Sequence, residues 1–188
     1  MPRDGSSTRA SILSTAMRLF VEQGYDKTSL REIADEIGVT KAALYYHFRT
    51  KDDIVAAAYE DYAAQMAAIL AWTEAEPAGP ERDAGFADRI LDFVEGEGRT
   101  ALRFNQANPT VIARAEHAQL QLSLVTRLLA ALAGPEPTPE ASLRATLAYG
   151  ALVIGTVAEA TPLPSAGTPA ERRAAARAVA LELLAAIR

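Results

Sequence analysis

Two helix-start signals lie close together in the N-terminal part of the sequence, between residues 28 and 48. Ser29 is suited to cap one helix, and Glu32, three residues later, can complete a capping box. Gly38 is placed to end that short helix, and Thr40 can cap a second helix of about eight residues. Two short helices joined by a tight turn with glycine are typical of a helix-turn-helix, whose second helix enters the major groove of DNA. The spacing therefore predicts a DNA-reading module.

The second of these helices has an unusual free face. With about 100° of rotation per residue, Leu44 and Phe48 fall within about 40° of each other and are predicted to face the core. Ala42, Ala43 and Tyr46 then point away from that core. Charged residues are expected on a face that meets only water, whereas small side chains suit a groove in which the helix approaches the bases. Side chains suited to phosphate contacts surround this face, namely Thr28, Ser29, Thr40, Lys41, Tyr45, His47 and Lys51.

The distribution of charge along the chain agrees with this prediction better than the net charge does. The net charge is −5, which argues against nucleic acid as a partner because Lys and Arg supply much of the affinity for phosphates. Up to residue 51, however, there are eight basic and six acidic residues, against 11 basic and 18 acidic residues in the remainder. We therefore expect a modestly basic head on an acidic body.

Each of these observations has a second interpretation. Tyr45 and Tyr46 could pack in the core of the module as ordinary buried aromatic residues. His47 could act only as a cation near the C-terminal end of its helix, where it would interact with the helix dipole. The charge asymmetry could be a chance clustering on a solvated surface.

Residues 28–53 closely resemble the DNA-binding module of the TetR family, above all in the Leu-Tyr-Tyr-His-Phe segment at 44–48. The resemblance extends over roughly residues 9–56. It implies an all-α homodimer in which a three-helix head, the helix-turn-helix DNA-binding domain at 1–52, is followed by a linking helix. A helical bundle at 53–188 is then expected to bind a small molecule and to dimerise through its last two long helices.

The resemblance also implies roles for individual residues of the module. It implies phosphate contacts from Thr28, Thr40, Lys41, Tyr45, His47 and Lys51, and positions close to the bases for Ala42, Ala43 and Tyr46. The two alanines offer no hydrogen-bonding groups. Specificity is therefore expected to rest on Lys41, Tyr46 and the shape of the DNA.

The rest of the chain is predicted to form further helices, about nine in the whole protein. Hydrophobic residues make up 49% of the sequence but aromatic residues only 6%, so the apolar content is mainly alanine and leucine, which favour helices. Loops rich in proline and glycine at 73–80, 134–139 and 161–168 separate the predicted elements. Between the first two loops, Pro109 is placed to begin one helix that runs to about Ala133.

The middle helices contain large apolar side chains that could form either a core or the wall of a ligand pocket. In this architecture some are expected to do both for an unknown small-molecule effector, and the candidates are Tyr62, Met66, Phe86, Phe93 and Phe104. His117 is either solvated or part of the same pocket. Arg103, Asn105, Gln106 and Asn108 are expected to form a capped, exposed helix end.

Two stripes of small residues near the C-terminus predict close helix packing. The stripes consist of Ala148, Ala151, Gly155 and Ala158, and of Ala174, Ala178 and Leu181. Paired across a two-fold axis, the two helices would form a four-helix dimer interface. The alternative is that both stripes are buried within one subunit.

Several classes of function are not expected. There is no cysteine, and the two histidines, His47 and His117, are far apart, so neither a metal site nor a cofactor is predicted. Nucleophile elbows and phosphate loops are absent from the sequence, which argues against an enzyme. No apolar segment approaches the roughly 20 residues of a membrane span, and the first residues do not form a signal peptide, so a soluble cytoplasmic protein is expected.

The sequence thus favours a repressor that binds a double-stranded DNA operator as a homodimer and is released by a small molecule. Two alternatives stay open within the same architecture. One is a dimer that binds a small molecule or a protein partner without binding an operator, and the other is a transcriptional activator.

Overall fold

The computed structural model describes residues 5–96, 98–112, 116–156 and 166–187. Within these ranges the chain is all-helical, as predicted. The helices are α1 (Gly5–Glu22), α2 (Leu30–Ile37), α3 (Lys41–His47), α4 (Lys51–Ala75), α5 (Pro80–Glu95), α6 (Gly98–Ala107), α7 (Pro109–Ile112), α8 (Glu116–Ala133), α9 (Pro139–Thr156) and α10 (Pro169–Ala185).

Packing divides the chain into two compact units, and the first of them is discontinuous in sequence. It combines Met1–Tyr62 with Thr100–Ala118, whereas the second combines Ala63–Arg99 with Gln119–Arg188. The domain boundary expected at residue 52 was based on the helix-turn-helix alone. The first unit therefore contains the start of α4, most of α6 and all of α7 in addition to α1–α3.

Local capping signals define the helices of the first unit as the sequence predicts. The Ser29 hydroxyl accepts a hydrogen bond from the Glu32 N–H at 3.2 Å, and the Glu32 carboxylate accepts one from the Ser29 N–H at 2.7 Å. The hydrogen bond from the Ser29 N–H, and after it the interaction with the Ser29 hydroxyl, holds the pKa of the Glu32 carboxyl below its usual range. Gly38 ends α2 with φ of +70°, a left-handed conformation that glycine adopts without strain. The predicted capping box and glycine stop are confirmed.

Two predicted helix ends differ from the structure. α4 continues to Ala75, three residues past Trp72, because the buried Thr73 hydroxyl donates to the Ile69 carbonyl at 2.8 Å and is satisfied inside the helix. The segment predicted as one helix from Pro109 to Ala133 contains α7 and α8. Residues 113–115 between these two helices lie outside the described residues.

The second unit contains the contact between α9 and α10, which also pack against α5. From α9, Ala145, Ala148 and Leu152 are buried, and from α10, Ala176 and Ala180. Small side chains on both helices allow their backbones to approach closely. Ala148, a member of the predicted α9 stripe, is thus covered within the subunit.

Ion pairs fasten α10 to α5. Arg177 contacts the Asp88 carboxylate through two hydrogen bonds of 2.6 and 3.1 Å, and Arg173 contacts Asp92 and Glu95. The hydrogen bonds from Arg177 lower the pKa of the Asp88 carboxyl. A forked guanidinium–carboxylate geometry orients the two helices as well as attracting them.

Gly155 lies where α9 approaches α10 most tightly, and this contact predicts the effect of a substitution. A Cβ atom at this position would lie 2.7 Å from the Cβ of Ala176. We expect Gly155→Ala to lower the free energy of unfolding by about 1 to 3 kcal/mol, because this overpacking outweighs the gain in helix propensity. Urea denaturation followed by circular dichroism measures the effect. A variant more stable than the parent would show that α9 and α10 are not in contact at Gly155.

Candidate nucleic-acid interface

α3 has one buried and one free face, and this predicted division is confirmed. Leu44 and Phe48 are buried among residues of α1, α2 and α4. Tyr46 is 86% exposed and Ala42 is also exposed, whereas Ala43 is half-buried. A tyrosine this exposed on a face without charges leaves a large apolar ring in water, which is costly unless the ring has a partner.

The hydroxyls of Ser29 and Thr40 lie at the exposed starts of α2 and α3. Each accepts a backbone hydrogen bond in its cap: Ser29 from Glu32 at 3.2 Å, and Thr40 from the Ala43 N–H at 3.1 Å. A hydroxyl that accepts in this way keeps its own proton for donation. Both caps therefore place a donor beside a helix start, where an anion is favoured.

Thr28 lies inside the first unit instead of at the surface that the sequence predicted. Its side chain is 1% exposed, and its hydroxyl donates to the Gly24 carbonyl at 2.9 Å. The hydroxyl thereby satisfies a carbonyl beyond the end of α1. In this position the Thr28 side chain fixes the turn between α1 and α2 and does not face a phosphate.

The two lysines at and beyond the ends of α3 differ in their exposure and contacts. The Lys41 side chain is exposed, with its Nζ 5.5 Å from the centre of the Tyr45 ring, and Tyr45 itself is 41% exposed. Lys51 is half-buried, and its Nζ donates to the Tyr25 carbonyl at 2.6 Å and lies 4.3 Å from the centre of the Tyr25 ring. Lys41 is therefore the more available of the two for a phosphate.

His47 is the last residue of α3, and its ring lies edge-on to Tyr46 with 5.2 Å between the ring centres. The histidine is half-buried. The position fits either predicted role, a phosphate contact or a cation near the helix C-terminus.

Asn108 is a residue whose importance the sequence did not indicate. We expected it on an exposed helix end, but it is buried beyond α6 and joins the last turn of α1 to the α1–α2 turn. Its Oδ1 accepts from the Tyr25 N–H at 2.9 Å, and its Nδ2 donates to the Phe20 carbonyl at 3.1 Å. Phe104 contributes to the same junction, because its ring packs against the rings of Phe20 and Tyr25.

Tyr25 itself connects this junction to α4. Its hydroxyl donates to the Asp52 carboxylate. Burial, and secondarily this hydrogen bond, raises the pKa of the Tyr25 hydroxyl. The hydroxyl therefore stays protonated and continues to donate throughout the physiological range.

The residues predicted to line an effector pocket fall in both compact units. Tyr62 and Phe104 belong to the first unit, and Met66, Phe86 and Phe93 to the second; all five are buried. Phe93 borders an open groove of about 460 Å³ that also includes Ile69 and Arg89. The side chain of His117 lies outside the described residues.

The small-residue stripes predicted for the dimer interface fall on different surfaces. Ala148 is buried and Gly155 faces Ala176 of the same subunit, so part of the α9 stripe is covered within one chain. Ala151 and Leu181 are half-buried, Ala174 and Ala178 are exposed, and Ala158 lies outside the described residues.

Larger apolar side chains are exposed on a neighbouring face of α9. Leu143, Leu147 and Ile154 are each about half exposed. Their spacing places them within about 40° of one another on the helix. Val179 of α10 is also 46% exposed.

None of the described helices is long and apolar enough to cross a membrane. Over the same part of the chain, no group of three or more histidine, aspartate or glutamate side chains is arranged to hold a metal ion.

Comparison with known proteins places the helix-turn-helix in a known class. The family model of bacterial regulatory proteins of the tetR family matches residues 12–58. Over 58 residues, the chain is 45% identical to the HTH-type transcriptional regulator AcrR of Shigella flexneri, covering 31% of this chain and 27% of AcrR. Over 61 residues it is 33% identical to the HTH-type transcriptional repressor KstR2 of Mycolicibacterium smegmatis, covering 32% and 30% of the two chains. These matches thus span less than a third of each relative.

Solved structures extend the likeness to the whole fold. The ketosteroid transcriptional regulator KstR2 of Mycobacterium tuberculosis superposes with a TM-score of 0.69 at 18% identity, covering 96% of this chain and 94% of that one. AmtR of Mycobacterium smegmatis superposes with a TM-score of 0.56 at 28% identity, covering 100% and 94%.

Proposed function

The chain belongs to the TetR family of bacterial regulatory proteins, and from this premise we propose that it is a cytoplasmic DNA-binding transcriptional repressor. In this proposal a homodimer occupies a pseudo-palindromic operator, with one head in each of two half-sites about one helical turn apart. A small molecule bound to the body favours a spacing of the heads that no longer matches the half-sites, and the operator is released.

The observation on which this proposal rests is the free face of α3. Tyr46 is 86% exposed there, beside the exposed Ala42. In a major groove the alanine allows close approach to base edges, and the Tyr46 ring gains a partner that replaces water. The hydroxyls of Ser29 and Thr40 and the ammonium of Lys41 surround this face and are suited to phosphates on either side.

Homodimerisation is supported by the exposed stripe on α9 more than by the small residues that the sequence singled out. Leu143, Leu147 and Ile154 form an apolar ridge, and Val179 adds a further apolar group on α10. Exposed side chains of this size on neighbouring helices mark an interaction surface. Paired across a two-fold axis, α9 and α10 of two subunits would bury them in a four-helix interface.

The groove-facing assignment predicts a contrast between two variants. Tyr46→Ala should weaken binding to the operator by about 1 to 3 kcal/mol while changing non-specific binding little, because it removes a contact to base edges. Lys41→Ala should weaken binding to all sequences and lower the slope of log K against log salt by about 1, because it removes one phosphate contact. Fluorescence anisotropy with DNA from upstream of the protein's own gene, and with scrambled DNA, measures both.

Arg127→Ala is the control for the lysine variant, because Arg127 is an exposed cation of the second unit whose partner is Glu74. It should leave both affinity and salt slope unchanged. If Tyr46→Ala and Lys41→Ala both bind the operator like the parent, α3 does not read the groove. If the parent shows no salt-sensitive DNA binding, the protein is instead a dimer that binds a small molecule or a partner.

A reporter gene under the same operator distinguishes repression from activation. Deleting the regulator should raise expression of the reporter if it is a repressor. A fall in expression would indicate an activator that uses the same DNA contacts.

A further inference from the structure

Several cations of the first unit already have acidic partners. In α1, the Arg18 guanidinium donates to the carboxylates of Glu22 and Glu36 at 2.8 and 2.6 Å. In α2, Nε of Arg31 lies 3.7 Å from Oδ2 of Asp35. A cation that is paired in this way has less charge to offer to a phosphate than one without a carboxylate beside it.

Arg9, in the second turn of α1, has a different environment. It is exposed, and its guanidinium carbon lies 5.1 Å from the centre of the Phe48 ring. The face of an aromatic ring attracts a cation within about 6 Å of its centre but offers it no oxygen acceptor. Within the part of the chain that the structure describes, no carboxylate or carbonyl accepts a hydrogen bond from Arg9. The N–H groups of its guanidinium therefore stay available to a further acceptor.

The contact with Phe48 places Arg9 at one end of α3. Phe48 directly follows this helix, whereas Lys41 is its first residue. α3 has seven residues, so at about 1.5 Å per residue its two ends are about 10 Å apart. The major groove is about 12 Å wide, and a helix of this length in it reaches from one bordering phosphate strand towards the other. Arg9 and Lys41 are thus placed for different strands.

We propose that Arg9 binds a DNA phosphate on the strand opposite to the one that Lys41 contacts. The Phe48 ring holds the guanidinium beside α3, and its planar N–H groups donate to the phosphate oxygens. Such a contact carries no sequence information, but it fixes the orientation of α3 in the groove. The inference rests on the proposed DNA binding and adds a contact from α1 to the surface formed by α2 and α3.

Arg9→Gln removes the charge at this position. It should weaken binding to the operator and to scrambled DNA alike, by at least about fivefold at 0.1 M salt, and lower the slope of log K against log salt by about 1 for each bound head. Arg9→Lys keeps the charge and should keep the parental slope, which a merely structural role of Arg9 would not produce. Fluorescence anisotropy between about 50 and 200 mM salt measures the slopes.

Arg18→Gln is the matched control. It makes the same change of net charge on the same helix, but about 180° away around the helix axis, at a guanidinium held by Glu22 and Glu36. It should keep the parental slope. The inference is overturned if folded Arg9→Gln keeps the parental slope, or if the slope falls equally in the Arg9→Gln and Arg9→Lys proteins.

A second experiment locates the contact on the DNA. Uncharged methylphosphonate groups replace the phosphates of the operator one at a time. One replacement should weaken binding of the parent but not of Arg9→Gln, and it should lie on the strand opposite to the replacement that leaves Lys41→Ala unaffected. If every replacement weakens the parent and Arg9→Gln equally, Arg9 binds no phosphate. A parent without salt-sensitive DNA binding would overturn the proposed function as well, so the two failures are distinguishable.

Discussion

Leu147→Glu should convert the proposed dimer into a monomer and weaken binding to the proposed operator by at least about 100-fold. Leu147 lies in the middle of the exposed α9 stripe, between Leu143 and Ile154. A two-fold axis brings the substituted position into the interface twice, so two carboxylates lose water and repel each other at a cost of several kcal/mol. Loss of the second head removes the gain from bivalent binding, which is typically about 10² to 10⁴-fold.

Size-exclusion chromatography with light scattering gives the oligomeric state, and fluorescence anisotropy gives the affinity. Leu122→Glu is the matched control, since Leu122 is an exposed leucine of α8 and lies on neither α9 nor α10. It should remain dimeric and bind the operator like the parent. A Leu147→Glu protein that stays dimeric would place the subunit interface on another surface.

Asn108→Leu should lower the free energy of unfolding by about 2 to 4 kcal/mol. Leucine has a similar size, but it leaves the Tyr25 N–H without its acceptor and the Phe20 carbonyl without its donor. Each buried backbone group left unsatisfied costs about 1 to 3 kcal/mol. The turn that positions α2 would loosen, so the Tyr25 amide should also exchange its hydrogen faster than in the parent.

Urea denaturation measures the stability, and hydrogen exchange followed by NMR measures the amide. Gln106→Leu makes the same kind of change on an exposed position of α6. It should alter stability by less than about 0.5 kcal/mol, as is usual for surface substitutions. If the two variants were equally stable, the hydrogen bonds of Asn108 would contribute nothing to holding the turn.

Local signals were sufficient to predict the helix-turn-helix. Ser29 with Glu32, Gly38, and Thr40 each act within four residues of themselves, and the structure shows the expected cap at each one. The same is true of the exposed Tyr46, because helical periodicity alone separates it from Leu44. The part of the candidate site that depends on residues close together in sequence was therefore predictable.

Features that depend on distant partners were not predictable. Asn108 binds groups 83 and 88 residues away in sequence, and nothing in its neighbourhood distinguishes it from an exposed amide. Thr28 and Ser29 are both good capping residues, and only the position of the Gly24 carbonyl shows that Thr28 turns inward.

α9 posed a different problem, because it has apolar stripes on two neighbouring faces. Part of the small-residue stripe is covered within the subunit, as the buried Ala148 and the approach of Gly155 to Ala176 show. The larger side chains are left outside. Periodicity reveals both stripes but does not say which neighbour covers each one.

The discontinuous first unit limits how this regulator could be recombined with others. A chimera that joined residues 1–52 to a foreign body would separate the α1–α2 turn from Asn108 and would remove Phe104, whose ring packs against those of Phe20 and Tyr25. The transplanted head would then keep every residue of the proposed DNA-reading surface. It would lose the contacts of Asn108 and Phe104 that support this surface. In this protein, a portable reading head includes a segment encoded some 50 residues downstream of the helix-turn-helix.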